Sequence, residues 1–257
     1  MGVQIQSRVI AGPTGFSPLA HTPGGQFSRD IFQHSRVSSQ EPDQATKIGW
    51  MKAGLCVGPE LIGSPELKES LHKLGIGDKW KDIEPAYRFA QQAHKTQKRD
   101  DGMPYYHHCA RAARNLMEHF HVKDPDVIKA ALLHDTLEDC TLNPEEIQSR
   151  FGPRVAALVQ AMTKPDCGPG ESYDQRNERY LRDQIINGPP GAVEIKLADR
   201  MDNIDDLHLV PDRSMVGRYV EDTERHYLPL ARERYPAVGE RMTQTLQGVQ
   251  HWMMQSH

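Results

Sequence analysis

Apolar positions between residues 64 and 254 recur at intervals of three and four, and no stretch shows the alternation of a half-buried strand followed by a hairpin turn. The spacing predicts helices near 65–74, 83–97, 105–121, 125–139, 144–150, 153–163, 173–187, 191–208, 213–233 and 236–254. Local punctuation agrees with that reading. Ser64-Pro65-Glu66 reads as a cap followed by proline at the first helical position, and Gly75 with Gly77 reads as a stop. Asp124-Pro125 and Asn143-Pro144 repeat the same grammar, and Gly152 follows "EEIQSRF" as a C-terminal stop. Residues 164–172, "KPDCGPGES", form a predicted loop placed to border a pocket. Residues 1–44 are rich in Gly, Pro, Ser and Gln without sustained periodicity, a composition that does not repay the entropy of ordering. The expected architecture is all-α: a helical domain over residues 64–257 behind a flexible leader, residues 1–63.

Composition narrows the class. A chain of 257 residues carries one large domain, or one domain and a tail. With 37% apolar and 26% charged residues, and a mean hydropathy of -0.66, it has an adequate core and a well-solvated surface. No apolar run approaches the roughly 18 residues of a membrane span, so no membrane partner is expected. A formal net charge of -4 argues against a dedicated nucleic-acid binder. The four cysteines (Cys56, Cys109, Cys140, Cys167) are scattered with no CxxC pair, and read as reduced thiols of a cytoplasmic protein. The start lacks a secretory signal, and "MGVQIQS" has Gln6 where myristoylation wants Ser or Thr. The polar bias of the leader leaves a second reading beside a plain tail, that of an export signal.

The candidate chemistry begins at "AALLHDTLEDC", residues 130–140, where small apolar bulk runs into His134, Asp135, Glu138 and Asp139. Carboxylates beside a core are costly unless solvated or paired with a cation. On one continuous helix over 125–139, His134 with Glu138 and Asp135 with Asp139 lie four apart on adjoining parts of one surface. A second acidic stripe lies in "VEIKLADRMDNIDDL", residues 193–207, with Asp199, Asn203 and Asp206 at i, i+4 and i+7. A third element is "YYHHC", residues 105–109. Taken singly, an HD dipeptide is weak, "DNIDD" reads as a solvated helix face, and His107 and His108 read as surface residues. Taken together they offer two imidazoles and two carboxylates, His108, His134, Asp135 and Asp199. That mixed donor set suits Mn, Fe or Zn better than Mg or Ca.

The neighbours of these residues are specific. "AYRFAQQAH", "QKRDDGMPYYHH", "AALLHDTLEDCTLNPEEIQSRFG", "VAALVQAMTK", "VEIKLADRMDN" and "DTERHYLPLAR" occur in an order, over about residues 80–232, that resembles the hydrolase domain of the RelA/SpoT alarmone enzymes. The layout is most similar to their single-domain relatives, the small alarmone hydrolases of the HD phosphohydrolase superfamily. The resemblance implies an HD-domain helical bundle that removes the 3′-pyrophosphate from guanosine tetra- or pentaphosphate. It implies no synthetase or regulatory domain after the matched stretch. It makes His108, His134, Asp135 and Asp199 the ligands of a Mn2+ ion, and Glu138 and Asp139 the pair that orients and deprotonates the attacking water. Asn203 matches a residue that contacts the nucleotide sugar, and Arg99 one that packs against the base. Lys95, Lys98, Arg111, Lys196 and Arg200 are further basic residues that would offset an anionic substrate, although each reads first as plain surface charge. The chain departs from the family pattern at Asp100-Asp101, Cys109, Asp202 and Asp206, where most changes add negative charge. Two other readings accompany the hydrolase: an HD enzyme acting on another phosphorylated nucleotide such as NADPH, and a non-catalytic nucleotide sensor. The expected partner is a small-molecule nucleotide, and the sequence leaves the oligomeric state open.

Overall fold

The caps seen in the sequence set the helix starts of the computed structural model, which describes residues 63–99 and 102–255. The Asp124 carboxylate accepts from the Asp126 amide at 3.0 Å, and the Asn143 side chain accepts from the Glu146 amide at 2.9 Å. At the first helix the cap is Gly63 rather than Ser64, because the Glu66 carboxylate reaches back to the Gly63 amide at 2.8 Å. The helices run α1 Ser64–Lys73, α2 Trp80–Ala93, α3 Tyr106–Phe120, α4 Pro125–Leu133, α5 Thr136–Asp139 and α6 Pro144–Phe151. They continue with α7 Pro153–Met162, α8 Tyr173–Tyr180, α9 Ala192–Asp205, α10 Arg213–Asp222, α11 Leu228–Arg234 and α12 Pro236–Gln255. Wide π turns extend α8 over Leu181–Ile186 and join α10 to α11 over Thr223–Tyr227, so the predicted helices 173–187 and 213–233 are continuous but not regular. Among the described residues, extended pairing is limited to one antiparallel bridge, Lys98 with Pro104.

The predicted helix 125–139 is the main correction. It breaks at His134-Asp135 into α4 and α5. Two side chains take carbonyls of the preceding turn: His134 Nδ1 donates to the Ala131 carbonyl at 2.8 Å and Thr136 Oγ1 to the Leu133 carbonyl at 2.6 Å. Such local bonds compete with the helical ladder. Asp135 sits at φ -96°, ψ -3°, in the bridge region rather than the helical well.

The core is built around α9. From Ala192 to Ile204 every residue except Glu194 is buried, as is every residue of α4 from Val127 to Leu133. α9 lies along α3 and also packs on α4, α7 and α12. Gly191, at φ +106°, lets the start of α9 approach α4, since a Cβ there would stand 2.8 Å from Val127 Cγ2. The acidic run of α9 is therefore not a solvated face. Asp199, Asp202 and Asp206 are buried, and their partners must come from inside the molecule.

The leader reading and Asp100-Asp101 lie outside the described residues. Among the described residues no helix is long and apolar enough to cross a membrane.

His208, just beyond α9, gives the fold a pH signature. It is buried, and burial pushes its imidazole down to about 4, opposed by a backbone hydrogen bond at Asp205. A group whose folded pKa lies below its unfolded value stabilises above the unfolded value and loses that contribution as pH falls. Stability is expected to drop between pH 6.5 and 4, by up to about 3 kcal/mol from this residue alone. Unfolding free energies from denaturant melts should fall less across that range in His208→Gln than in the parent chain; an equal fall with pH would contradict the assignment.

Candidate metal centre

Three segments deliver the site. α3 carries His108 in its first turn, the α4–α5 break carries His134 and Asp135, and the middle of α9 carries Asp199. His134 Nε2 lies 2.9 Å from Asp135 Oδ2 and 3.6 Å from Asp199 Oδ1. His108 Nε2 lies 3.4 Å and 3.3 Å from the same two oxygens. His108, His134 and Asp135 each present one ligand atom within 4.8 Å of the others, a spacing that suits a metal ion. All four residues are buried. Asp199 stands outside that group of three but flanks it, so positions 91 residues apart in the chain come within 3.3 Å at His108 and Asp199.

The donor atoms fit a cation. Both Nε2 atoms are buried without a hydrogen-bond partner, although carboxylate oxygens stand close by. Both Nδ1 atoms are committed elsewhere, that of His134 to the Ala131 carbonyl and that of His108 to Asp202 Oδ2 at 2.6 Å. This is the pattern of a metal-ligating imidazole, whose outer nitrogen is held so that the inner one is bare. The carboxylates are oriented too. Tyr105 Oη donates to Asp135 Oδ2 at 2.8 Å, Lys196 Nζ to Asp199 Oδ2 at 2.8 Å, and Asn203 Nδ2 to Asp199 Oδ1 at 2.7 Å.

The electrostatics point the same way. Burial alone would lower the His108 imidazole, yet the carboxylates of Asp135, Asp199 and Asp202 outweigh it and hold the ring up to about 10. His134 is likewise held well above its ordinary value against burial, by Asp135 and Asp199. Burial opposes ionisation of Asp135 and Asp199, but His134, His108 and Lys196 bring both far below the usual carboxylate range. The two carboxylates favour positive charge between them, and a divalent ion would supply it by displacing the histidine protons.

The remaining predicted residues surround this centre. Glu138 and Asp139 lie on α5, half-buried, and the Asp139 amide donates to the Asp135 carbonyl at 2.9 Å. Arg99 is buried rather than open: Nη2 donates to Asn203 Oδ1 at 3.3 Å, and the guanidinium lies 3.5 Å from both Asp202 and Asp206. Asn203 thereby bridges Arg99 to Asp199. Arg111, Lys196 and Arg200, expected at the surface, are buried against Asp202 with Asp206, Asp199 and Asp222 respectively. Lys95 and Lys98 are exposed. Loop 164–172 does border a cleft, of about 580 Å3, which also touches Leu137 of α5; none of the four converging residues lines it.

Sequence reasoning missed Tyr105 and the orienting role of Lys196. Tyr105 is fully buried and stacks on His94 with ring centroids 5.0 Å apart, while Gln97 Nε2 donates to the Asp139 carbonyl at 3.1 Å. Tyr105 and Gln97 thus hold the Asp135 side chain and the end of α5. Nothing in "YYHHC" distinguishes a tyrosine that orients a ligand from one that fills a core.

A family model described as an HD domain matches residues 86–235, more than half of the chain. The chain belongs to the HD-domain family. This HD domain is 36% identical over 173 residues to guanosine-3′,5′-bis(diphosphate) 3′-pyrophosphohydrolase of Aquifex aeolicus, a match covering 66% of this chain and 24% of that one. It is 36% identical over 152 residues to the GTP pyrophosphokinase rsh of Brucella melitensis, over 58% of this chain and 20% of the relative. The chain therefore spans about a quarter or less of these bacterial relatives. The human guanosine-3′,5′-bis(diphosphate) 3′-pyrophosphohydrolase MESH1 is 34% identical over 135 residues, which cover 52% of this chain and 73% of MESH1. Among solved structures, a metazoan ortholog of SpoT described as hydrolysing ppGpp superposes with a TM-score of 0.56. At 23% identity, over 64% of this chain and 93% of that one, the match establishes the shared fold. The all-α architecture and the family resemblance read from the sequence are both borne out.

Tyr105→Phe keeps the ring against His94 and removes the hydrogen bond to Asp135. Divalent-ion affinity should fall about tenfold, with a stability cost of about 1 kcal/mol. Titration calorimetry and thermal melting measure the two, and unchanged affinity would contradict the orienting role.

Proposed function

We propose that this chain is a metal-dependent hydrolase that removes the 3′-pyrophosphate from guanosine tetra- or pentaphosphate. The observation that carries the reading is the convergence of His108, His134, Asp135 and Asp199, with both imidazole Nε2 atoms buried and bare. The activities for which the Aquifex aeolicus and human relatives are named supply the substrate class. We assign the hydrolase domain to residues 64–257 with residues 1–63 as an extension, and the cytoplasm as the compartment.

In this reading His108, His134, Asp135 and Asp199 hold Mn2+. The bound ion would polarise a phosphate oxygen and bring the pKa of its water toward neutrality. Glu138 and Asp139, one turn past the HD pair, orient the attacking water and take its proton. Asn203 contacts the sugar from its place between Asp199 and Arg99, and Arg99 supports the base side. Glu138 and Asp139 are half-buried on α5, which supports a role that needs contact with water.

One observation favours a second reading, an HD hydrolase for another phosphorylated nucleotide such as NADPH. The Arg99 guanidinium is almost fully buried against Asp202 and Asp206, so it is not open to stack on a guanine base.

Purified protein with Mn2+ is expected to release pyrophosphate from guanosine tetraphosphate. Asp135→Ala and Glu138→Ala should each lower kcat at least about a hundredfold, and chelation should abolish turnover. A parallel panel with NADPH and other phosphorylated nucleotides, resolved by chromatography, separates the two readings. Binding of the nucleotide with the ion in place but no product after prolonged incubation would refute both.

A further inference from the structure

Asp202 stands at a position that the family pattern does not explain. It lies one turn beyond Asp199 on α9, and the i, i+3, i+4, i+7 spacing puts Asp199, Asp202, Asn203 and Asp206 on the face that meets α3. Its carboxylate is 4% exposed and fully engaged. Oδ2 accepts from His108 Nδ1 at 2.6 Å and from Arg111 Nη2 at 3.0 Å, and Oδ1 accepts from Arg111 Nε at 2.6 Å. Arg99 Nη1 lies 3.5 Å from Oδ2.

The two-pronged grip of Arg111 fixes the plane of the carboxylate. A fixed acceptor at Nδ1 then fixes the ring of His108. With its proton donated to Asp202, neutral His108 keeps its lone pair on Nε2, the nitrogen that faces Asp135 and Asp199. Among the described residues, the side-chain polar contacts of His108 are with Asp135 and Asp199 at Nε2 and with Asp202 at Nδ1.

Resting on the metal-centre reading above, we propose that Asp202 is a positioning residue for the divalent ion, acting through His108 by fixing its tautomer and ring orientation. A plain buried ion pair with Arg111 is the competing role, and the structure contains its own control. Asp206 carries the same charge, lies in the same cluster and takes Arg111 Nη2 at 2.5 Å, with Arg99 Nη2 at 3.5 Å, but is not a partner of His108. Removing Asp206 perturbs the ion-pair cluster without taking a partner from His108, whereas removing Asp202 perturbs the cluster and the ligand together.

The test is Mn2+ titration calorimetry on the full chain after chelation, in the parent and in Asp202→Ala, Asp202→Asn and Asp206→Asn, with melting of the metal-free forms alongside. Asp202→Ala should bind Mn2+ about 10- to 100-fold more weakly. Asp206→Asn should stay within about twofold of the parent at a comparable loss of metal-free stability. Asp202→Asn retains an oxygen acceptor for the Nδ1 proton and should fall between them. Equal losses in the two positions, or unchanged affinity in Asp202→Ala, would overturn the proposal while leaving the metal centre intact. Should Asp202→Ala fail to fold, the comparison of Asp202→Asn with Asp206→Asn decides: a clear deficit in the former supports the proposal and equality overturns it. A parent chain that takes up no Mn2+ would sink the metal-centre reading and this inference with it.

Discussion

Two imidazoles and two carboxylates share a buried volume, and the surrounding fold is organised around the positive charge they require. Left alone, Asp135 and Asp199 would be expensive groups to bury. Here each is ionised because something cationic or donating faces it: the two histidines, Lys196, Tyr105 and Asn203. The histidines have their outer nitrogens tied down and their inner nitrogens left without hydrogen bonds. A site of that kind is poor at satisfying itself and good at holding an ion.

That demand explains features of the fold that helix packing alone does not. α9 is buried nearly throughout although it carries three aspartates within seven residues, and α3 answers it with Arg111 and His108. The break between α4 and α5 turns His134 and Asp135 toward α3 and α9, using side-chain bonds to carbonyls that a straight helix would keep. Gly191 brings α9 close to α4, the helix that ends in His134. Tyr105 and Gln97 hold the Asp135 side chain and the end of α5 from residues that precede α3.

Much of this was legible in the sequence, and what was not has a physical reason. Periodicity and the caps at Asp124 and Asn143 located the helices, because both signals are local. The order of His108, His134-Asp135 and Asp199, with their neighbours, pointed to one site. The break at His134 was hidden because a residue in the bridge region keeps nearly helical spacing, so the pattern across it looks unbroken. The acidic run of α9 read as solvated because its counter-charges, Arg99 and Arg111, lie about a hundred positions earlier in the chain. Long-range pairing of that sort leaves no local trace, and the same is true of Lys196, which looks like any charged residue on a helix.

Pulsed electron paramagnetic resonance on the Mn2+-loaded full chain tests the central claim most directly. One bound ion should show nitrogen couplings from two imidazoles, one lost in His108→Gln and the other in His134→Gln. An ion surrounded by oxygen alone, or nitrogen couplings that survive both substitutions, would contradict a centre shared by these helices.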